Sequence, residues 1–317
     1  MLVDIAEKNC ETCVKGEILL KRFYIYLLLG IGIVLSIANS TFAIDGSDHP
    51  SCNFNTVDGN PITLSYEDLE DQHVCEANDV MDINSGTMTY ESQTIRAASV
   101  NNFTLTNAGT IQATDTIAIN STGNTATINN SGTIIATNDY AIKGYGDTFN
   151  LTNSDSGTIQ ATAYGLHATG DSGIVSNSGK IYGTTKIAIK VGGEGHKITN
   201  QSGGLIRVGT SVSTDVAHKL AVQAGGSGHN LTLDNYGEIS AAYNTIKTQA
   251  TGMNITNYSG GIIEVRSGSS KAIFVDGNNT TITNKGTITA TDGSNTINVN
   301  SGITGTNIVL NDSPTFT

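Results

Sequence analysis

The sequence predicts an all-β chain wound into a parallel β-helix of about nine coils, and three observations carry that reading. A phrase of hydroxyl-rich strand, Asn, small residue, Gly, Thr and Ile returns at about 23-residue spacing, as in Leu105-Thr106-Asn107-Ala108-Gly109-Thr110-Ile111 and Ile128-Asn129-Asn130-Ser131-Gly132-Thr133-Ile134. Apolar residues stand at fixed offsets from each of those asparagines. Thr, Ile, Val, Asn and Gly dominate where helical repeats would need Leu and Ala at three- and four-residue spacing.

The amino terminus reads as an address. Lys21-Arg22 precede an apolar stretch from Phe23 to Ile37, and small residues before Ile44 suit a peptidase cutting between Ala43 and Ile44. The apolar stretch is shorter than the roughly 20 residues a bilayer span needs, so residues 1–43 are expected to be a cleaved secretory signal with an extended n-region. An uncleaved anchor is the second reading, and a true start near Leu19 or Leu20 would shorten the n-region. Cys10 and Cys13 form a lone C-x-x-C within that segment and carry little metal or redox weight.

Residues 44–82 break the repeat and are expected to form a cap over the first coil, whose open sheet edge would otherwise invite association. Cys52 and Cys75 are the only cysteines after the signal and would be oxidised in an exported chain, so a disulfide is expected to staple the cap.

Residues 83–317 hold the repeats. Anchor asparagines are read at Asn84, Asn107, Asn130, Asn153, Asn177, Asn200, Asn235, Asn257 and Asn284, with a partial one at Asn311. Most neighbours lie 22 to 24 residues apart; the steps to Asn235, Asn284 and Asn311 are longer and look like insertions. Two residues before the anchor stand Leu105, Ile128, Leu151, Val175 and Ile198, and four or six after it stand Ile111, Ile134, Ile159, Ile181 and Ile206, as two stacked aliphatic columns would require. Burying one such side chain contributes roughly 1.5–3 kcal/mol, so repetition can support a core with no Trp. Asn and Gly at the corner suggest left-handed backbone there, and stacked Asn side chains can hydrogen-bond as amide ladders. The run at Thr306 to Ser313 starts a coil that the sequence does not finish, and a truncated remnant without function is one reading of that. Sequons such as Asn120-Ser121-Thr122 follow from composition and carry little weight.

The formal charge is −12, and it stays so after residues 1–43 are removed, because that segment holds equal numbers of basic and acidic side chains. Nucleic acid is therefore not an expected partner. Beside the second apolar column the outward residues become Lys180 and Tyr182, then Arg207, then Glu238 and Ser240, then Glu264 on consecutive coils. Tyr182, Arg207, Glu238 and Glu264 form a candidate surface ligand patch. Glu238 and Glu264 could act as acid and base in a secreted polysaccharide lyase or glycoside hydrolase; the plainer account is a solvated ladder in which Arg207 and Lys180 offset the glutamates. The long step near Gly209 to Ala217 adds a segment with Asp215 and His218 in or beside it, and loops on rigid scaffolds often carry binding. His196 stands where other coils have Phe103, Phe149 and Met253, which suggests packing. No catalytic, metal or cofactor residues are assigned, and a non-enzymatic role is expected.

With the signal and the N-x-G-x-I units at Asn107, Asn130, Asn177, Asn235 and Asn284, the chain resembles the passenger regions of bacterial autotransporters, the type V secretion proteins, over roughly residues 84–311. The resemblance implies a right-handed β-helix, exported to the periplasm, passed through an outer-membrane barrel and displayed or released at the cell surface, often in adhesion to a host-cell or extracellular-matrix ligand. The sequence departs from that family in having no translocator of alternating amphipathic strands. The expected partner is accordingly a barrel or a downstream part of the same product.

Overall fold

The computed structural model describes residues 64–65, 80–83, 85, 87–209, 220–225, 229–266, 270–290, 296–310 and 315–316. These residues form an all-β parallel solenoid whose strands make three sheets, of 11, 9 and 10 strands. One coil shows the plan. Thr127–Asn130 lies on face C, Thr133–Ala136 on face A and Tyr140–Gly144 on face B, and Asn150–Asn153 then returns to face C one rung along. Every pairing between strands is parallel, so each coil satisfies its backbone on the next.

Both expected aliphatic columns are present and in register. Ile111, Ile134, Ile159 and Ile181 pair in succession on face A, and Leu105, Ile128, Leu151 and Val175 do so on face C. A third column completes the core from face B, where Ile95, Ile119, Ile142, Leu166, Ile189 and Val222 follow one another. All of these are buried. Large and small residues also alternate just before the face C strands: Phe103, Ala126, Phe149, Gly173 and His196 are successive occupants. A Cβ at Gly173 would come within 2.6 Å of the His196 ring, so His196 fills space left by its neighbour, as its buried position and 2.6 Å bond from Nε2 to Gly192 O also indicate.

The corner between faces C and A carries the repeated asparagine. Asn107 Nδ2 donates to Asn130 Oδ1 at 2.8 Å, Asn130 to Asn153 at 2.8 Å, and the chain of bonds continues through Asn177, Asn200, Asn235 and Asn257 to Asn284. The same amides donate to turn carbonyls such as Gly132 O and Gly179 O. The amide ladder expected from the sequence is therefore formed.

Two expectations about this corner need correction. The anchors at Asn84 and Asn311 lie outside the described residues, and the pairing opposite the ladder ends falls one residue earlier: Ile83 pairs with Asn107, and Leu310 with Asn284. An aliphatic side chain at those positions cannot extend an amide ladder. Asn107 Oδ1 and Asn284 Nδ2 are accordingly buried without a hydrogen-bond partner among the described residues. Nor do the anchor asparagines take left-handed backbone, since none from Asn107 to Asn284 has positive φ; at this corner that conformation is taken by Gly203 and Gly260, in two of the longer turns. Gly at this corner is required by crowding: a Cβ on Gly132 would sit 2.1 Å from Gly109 O, and one on Gly179 2.2 Å from Gly157 O.

Left-handed residues recur on every coil between faces B and C, two positions before each face C strand from Thr104–Asn107 onward. Asn102, Thr125, Thr148, Ser172, Asn230 and Asn279 have φ between 54° and 62°, and Gly195, Gly252 and Gly305 complete the row. In that conformation the Thr125, Thr148 and Ser172 amides donate to Asp147 O, Asp171 O and Glu194 O of the following coil at 2.7–2.8 Å. Side chains assist, with Asn124 Oδ1 accepting from Asp147 N and Asp147 Oδ1 from Asp171 N.

Leu64–Ser65 and Val80–Ile83 pair with the solenoid on faces A and C. The signal segment with Ala43 and Ile44, the rest of the expected cap with Cys52 and Cys75, and the inserted Asp215 and His218 lie outside the described residues.

Candidate ligand-binding faces

The patch expected on face A is assembled as the period implies. Tyr182 pairs with Arg207, Arg207 with Ser240 and Ser240 with Glu264, while Lys180, Leu205, Glu238 and Ile262 form the neighbouring outward row. At its centre Arg207 Nη2 lies 2.6 Å from Glu238 Oε1, Arg207 Nε donates to Ser240 Oγ at 3.1 Å, and Ser240 Oγ donates to Glu238 Oε1 at 2.8 Å. Of the two cations expected to offset the glutamates, only Arg207 reaches one.

Burial alone would raise the Glu238 carboxyl, but hydrogen bonds from Arg207 and Ser240 and the charges of Arg207 and Arg266 outweigh it and hold the pKa below its usual value. Arg266 was not singled out by the sequence. Its Nη2 donates to Val208 O at 2.8 Å and Gly209 O at 3.2 Å, fastening the point where the inserted segment leaves face A. Burial, then the nearby Arg207 charge, lowers the Arg266 pKa. Glu238 is thus a structural anion, held by arginine and hydroxyl, with its capacity to donate a proton reduced.

A denser cluster lies on face B, which the sequence reading passed over. The outward row there runs Arg96, Asn120, Lys143, His167, Lys190, Gln223, Lys247 and Phe274 on successive coils. Beside it Tyr140 stacks on Tyr164 with ring centres 4.9 Å apart and planes 12° from parallel. His167 stacks on both rings at 5.4 and 5.5 Å, and Tyr145 meets it edge-on with its hydroxyl 3.1 Å from Nδ1. Lys143 Nζ lies 4.3 Å from the centre of the Tyr145 ring, and Lys186 and Lys190 approach Tyr164 at 5.6 and 5.7 Å. Each cation–ring contact is worth about 0.5–2 kcal/mol.

The cluster's titration behaviour follows from that packing. Burial, then the charges of Lys190 and Lys143, pulls His167 down to about 4, so the imidazole is neutral near pH 7. Burial followed by Asp139, Tyr145 and Tyr164 pushes Tyr140 up to about 12, keeping its hydroxyl a donor. Asp139, the carboxylate beside Lys186 and Lys143, is raised by burial against the pull of both lysines.

The signal for this cluster is present in the sequence as triplets that flank an outward residue with an aliphatic and a further apolar or glycine residue: Ile142-Lys143-Gly144, Leu166-His167-Ala168 and Ile189-Lys190-Val191. The outward letter changes from each coil to the next, so nothing aligns them until the coil register is known. Comparison of the chain with protein-family models, curated proteins and solved structures finds no match.

Proposed function

We propose that the chain is an exported, non-enzymatic β-solenoid of the autotransporter-passenger kind, displayed or released at the cell surface as an adhesin, with face B as its binding surface. The observation that carries this reading is the gathering of Tyr140, Tyr145, Tyr164, His167 and three lysines on one face of a chain whose formal charge is −12. Tyrosines presented on a rigid scaffold are typical of recognition surfaces, and the lysines beside them offer local positive charge to an anionic ligand. Export rests on the segment from Lys21 to Ala43, and right-handed winding on the sense that parallel crossovers take. The N-x-G-x-I units and the parallel solenoid support a passenger, delivered through a barrel supplied by another chain or a downstream segment.

A carbohydrate-cleaving role for face A is the weaker reading. A general acid needs a raised pKa, whereas Glu238 is paired with Arg207 and lowered.

The test is a panel of immobilised glycans and matrix proteins probed with the purified chain. Binding that is lost in a Tyr164→Ala, Lys190→Ala double variant and kept in Lys180→Ala supports face B. Binding that survives the double variant, or polysaccharide cleavage that disappears in Glu238→Gln, contradicts the proposal.

A further inference from the structure

We propose that face B takes a linear acidic polysaccharide lying along the solenoid axis and carrying one anionic sugar per disaccharide. This rests on the reading of face B as the binding surface and names its ligand.

The periodicity of charge decides the class. In the outward row of face B, Arg96, Lys143, Lys190 and Lys247 occupy every second rung. The rungs between them carry Asn120, His167 and Gln223, and His167 is held neutral by its burial and the flanking lysines. With about 4.8 Å between coils, the cations repeat at about 9.6 Å. Two glycosidically linked pyranose rings span that distance, so a polymer with one carboxylate or sulfate on alternate sugars would meet a cation at each anionic ring and an uncharged side chain at each neutral ring.

Other linear polyanions fit less well. A nucleic-acid strand places a phosphate at about every 3.4 Å along a duplex, and an extended polypeptide brings side chains to one side at about every 6.6 Å. Neither brings a single anion to every second rung.

The row is also equipped for neutral sugars. Asn120 Nδ2 donates to Gln93 Oε1 and Gln223 Nε2 to Gln249 Oε1, so amide pairs orient these side chains between the cations. Tyr140 and Tyr164 stack on each other along the axis, which points their edges, and not their faces, away from the sheet. The tyrosines therefore act as hydroxyl donors to sugar oxygens. Among the described residues, Asp139 lies near Lys143 and Lys186, and Asp276 lies 3.7 Å from Lys247. The latter pair weakens the far end of the row, so the strongest subsites are expected at Lys143 and Lys190.

The experiment titrates the full chain with four probes: hyaluronate fragments, charged on alternate sugars; polygalacturonate, charged on every sugar; neutral cello-oligosaccharides; and polyglutamate. Hyaluronate is expected to bind best, with affinity rising with fragment length up to about three disaccharides, the roughly 29 Å between the rungs of Arg96 and Lys247. Lys143→Ala with Lys190→Ala should weaken it about tenfold or more, Lys143→Arg with Lys190→Arg should retain it, and Lys180→Ala with Lys285→Ala should leave it unchanged. Gln223→Lys fills one gap and should shift preference toward polygalacturonate.

No binding of hyaluronate, or binding indifferent to Lys143 and Lys190, overturns the inference. Stronger Lys143-dependent binding of polyglutamate or cello-oligosaccharide also overturns it while leaving face B as the binding surface. Whether face B binds at all is decided separately by the glycan and matrix-protein panel.

Discussion

Two corners of each coil solve the same problem by different means. Between faces C and A the chain turns around a buried asparagine whose amide bonds to the next asparagine, as Asn153 does to Asn177 at 2.8 Å. Between faces B and C it turns on a left-handed residue whose identity changes from coil to coil, through Asn102, Thr125, Thr148, Ser172 and Gly195. The first corner constrains a side chain, because an amide presents separate donor and acceptor atoms, so Nδ2 can serve the next coil and a turn carbonyl while Oδ1 accepts from the coil before. The second constrains a backbone angle, which several residues can adopt at differing cost. One corner therefore writes a single letter in the sequence, and the other writes none.

Substitutions should separate the two corners, beginning with the ladder. Asn177→Leu keeps the side-chain branching but strands Asn200 Oδ1 in the core and leaves Asn153 Nδ2 with only its bonds to Gly157 O and Lys180 O. An orphaned acceptor costs about 1–3 kcal/mol and a lost hydrogen bond about 1 kcal/mol, so a loss of about 2–4 kcal/mol is expected in denaturant unfolding. At the ladder end, where Asn284 Nδ2 has no partner among the described residues, Asn284→Leu should cost about half as much. Equal costs would mean that the bonds along the axis contribute little.

Next come the glycines, which fail for different reasons at the two corners. Ala at Gly179 places Cβ 2.2 Å from Gly157 O and Ser154 O, both backbone atoms of the preceding coil. Thermal unfolding should show a loss of about 2–3 kcal/mol. Ala at Gly195 meets nothing nearer than Ser172 Oγ at 3.7 Å but must hold φ +69°, which costs about 1–2 kcal/mol.

The ladder interior carries no titrating group, whereas face B does, and pH should expose that contrast. His167 falls from 6.5 in the unfolded chain to about 4 in the fold, so the unfolded state binds the extra proton as pH drops. Stability is complete above pH 6.5 and is lost progressively down to about 4, by on the order of 2 kcal/mol after allowance for partial solvation. His167→Phe should flatten that part of the pH–stability curve. A slope that persists in the variant would assign the effect to another group.

The smallest effect is expected in the other direction. Thr148 is β-branched and sits at φ 58°, a conformation glycine takes freely, so Thr148→Gly should raise stability by about 1 kcal/mol in the same unfolding assay. A loss would show that Thr148 is held by contacts stronger than its strain.

The same contrast explains what was legible in the sequence. Ile111, Ile134, Ile159 and Ile181 share a letter and a spacing, so their column on face A could be read directly, and the outward residues Tyr182, Arg207, Glu238 and Glu264 came with it. The ends were misplaced because Asn84 and Asn311 carry the right letter one residue past Ile83 and Leu310, where the pairing falls. Face B is hidden in the sequence because Lys143, His167 and Lys190 share a column but no letter carries from one rung to the next. Arg266 escaped because it acts across more than one coil, on carbonyls of residues 208 and 209. Patterns fixed by the core repeat visibly; surfaces shaped for a ligand repeat in geometry and vary in residue.

The most direct test of the stacked-coil account is the distance between spin labels on the outward row of face A. A label at Thr110→Cys paired in turn with Thr158→Cys, Leu205→Cys and Thr287→Cys lies two, four and seven rungs away. The account predicts separations near 10, 19 and 34 Å, in constant steps of about 4.8 Å per rung. Separations that fail to grow in proportion to rung number would contradict it.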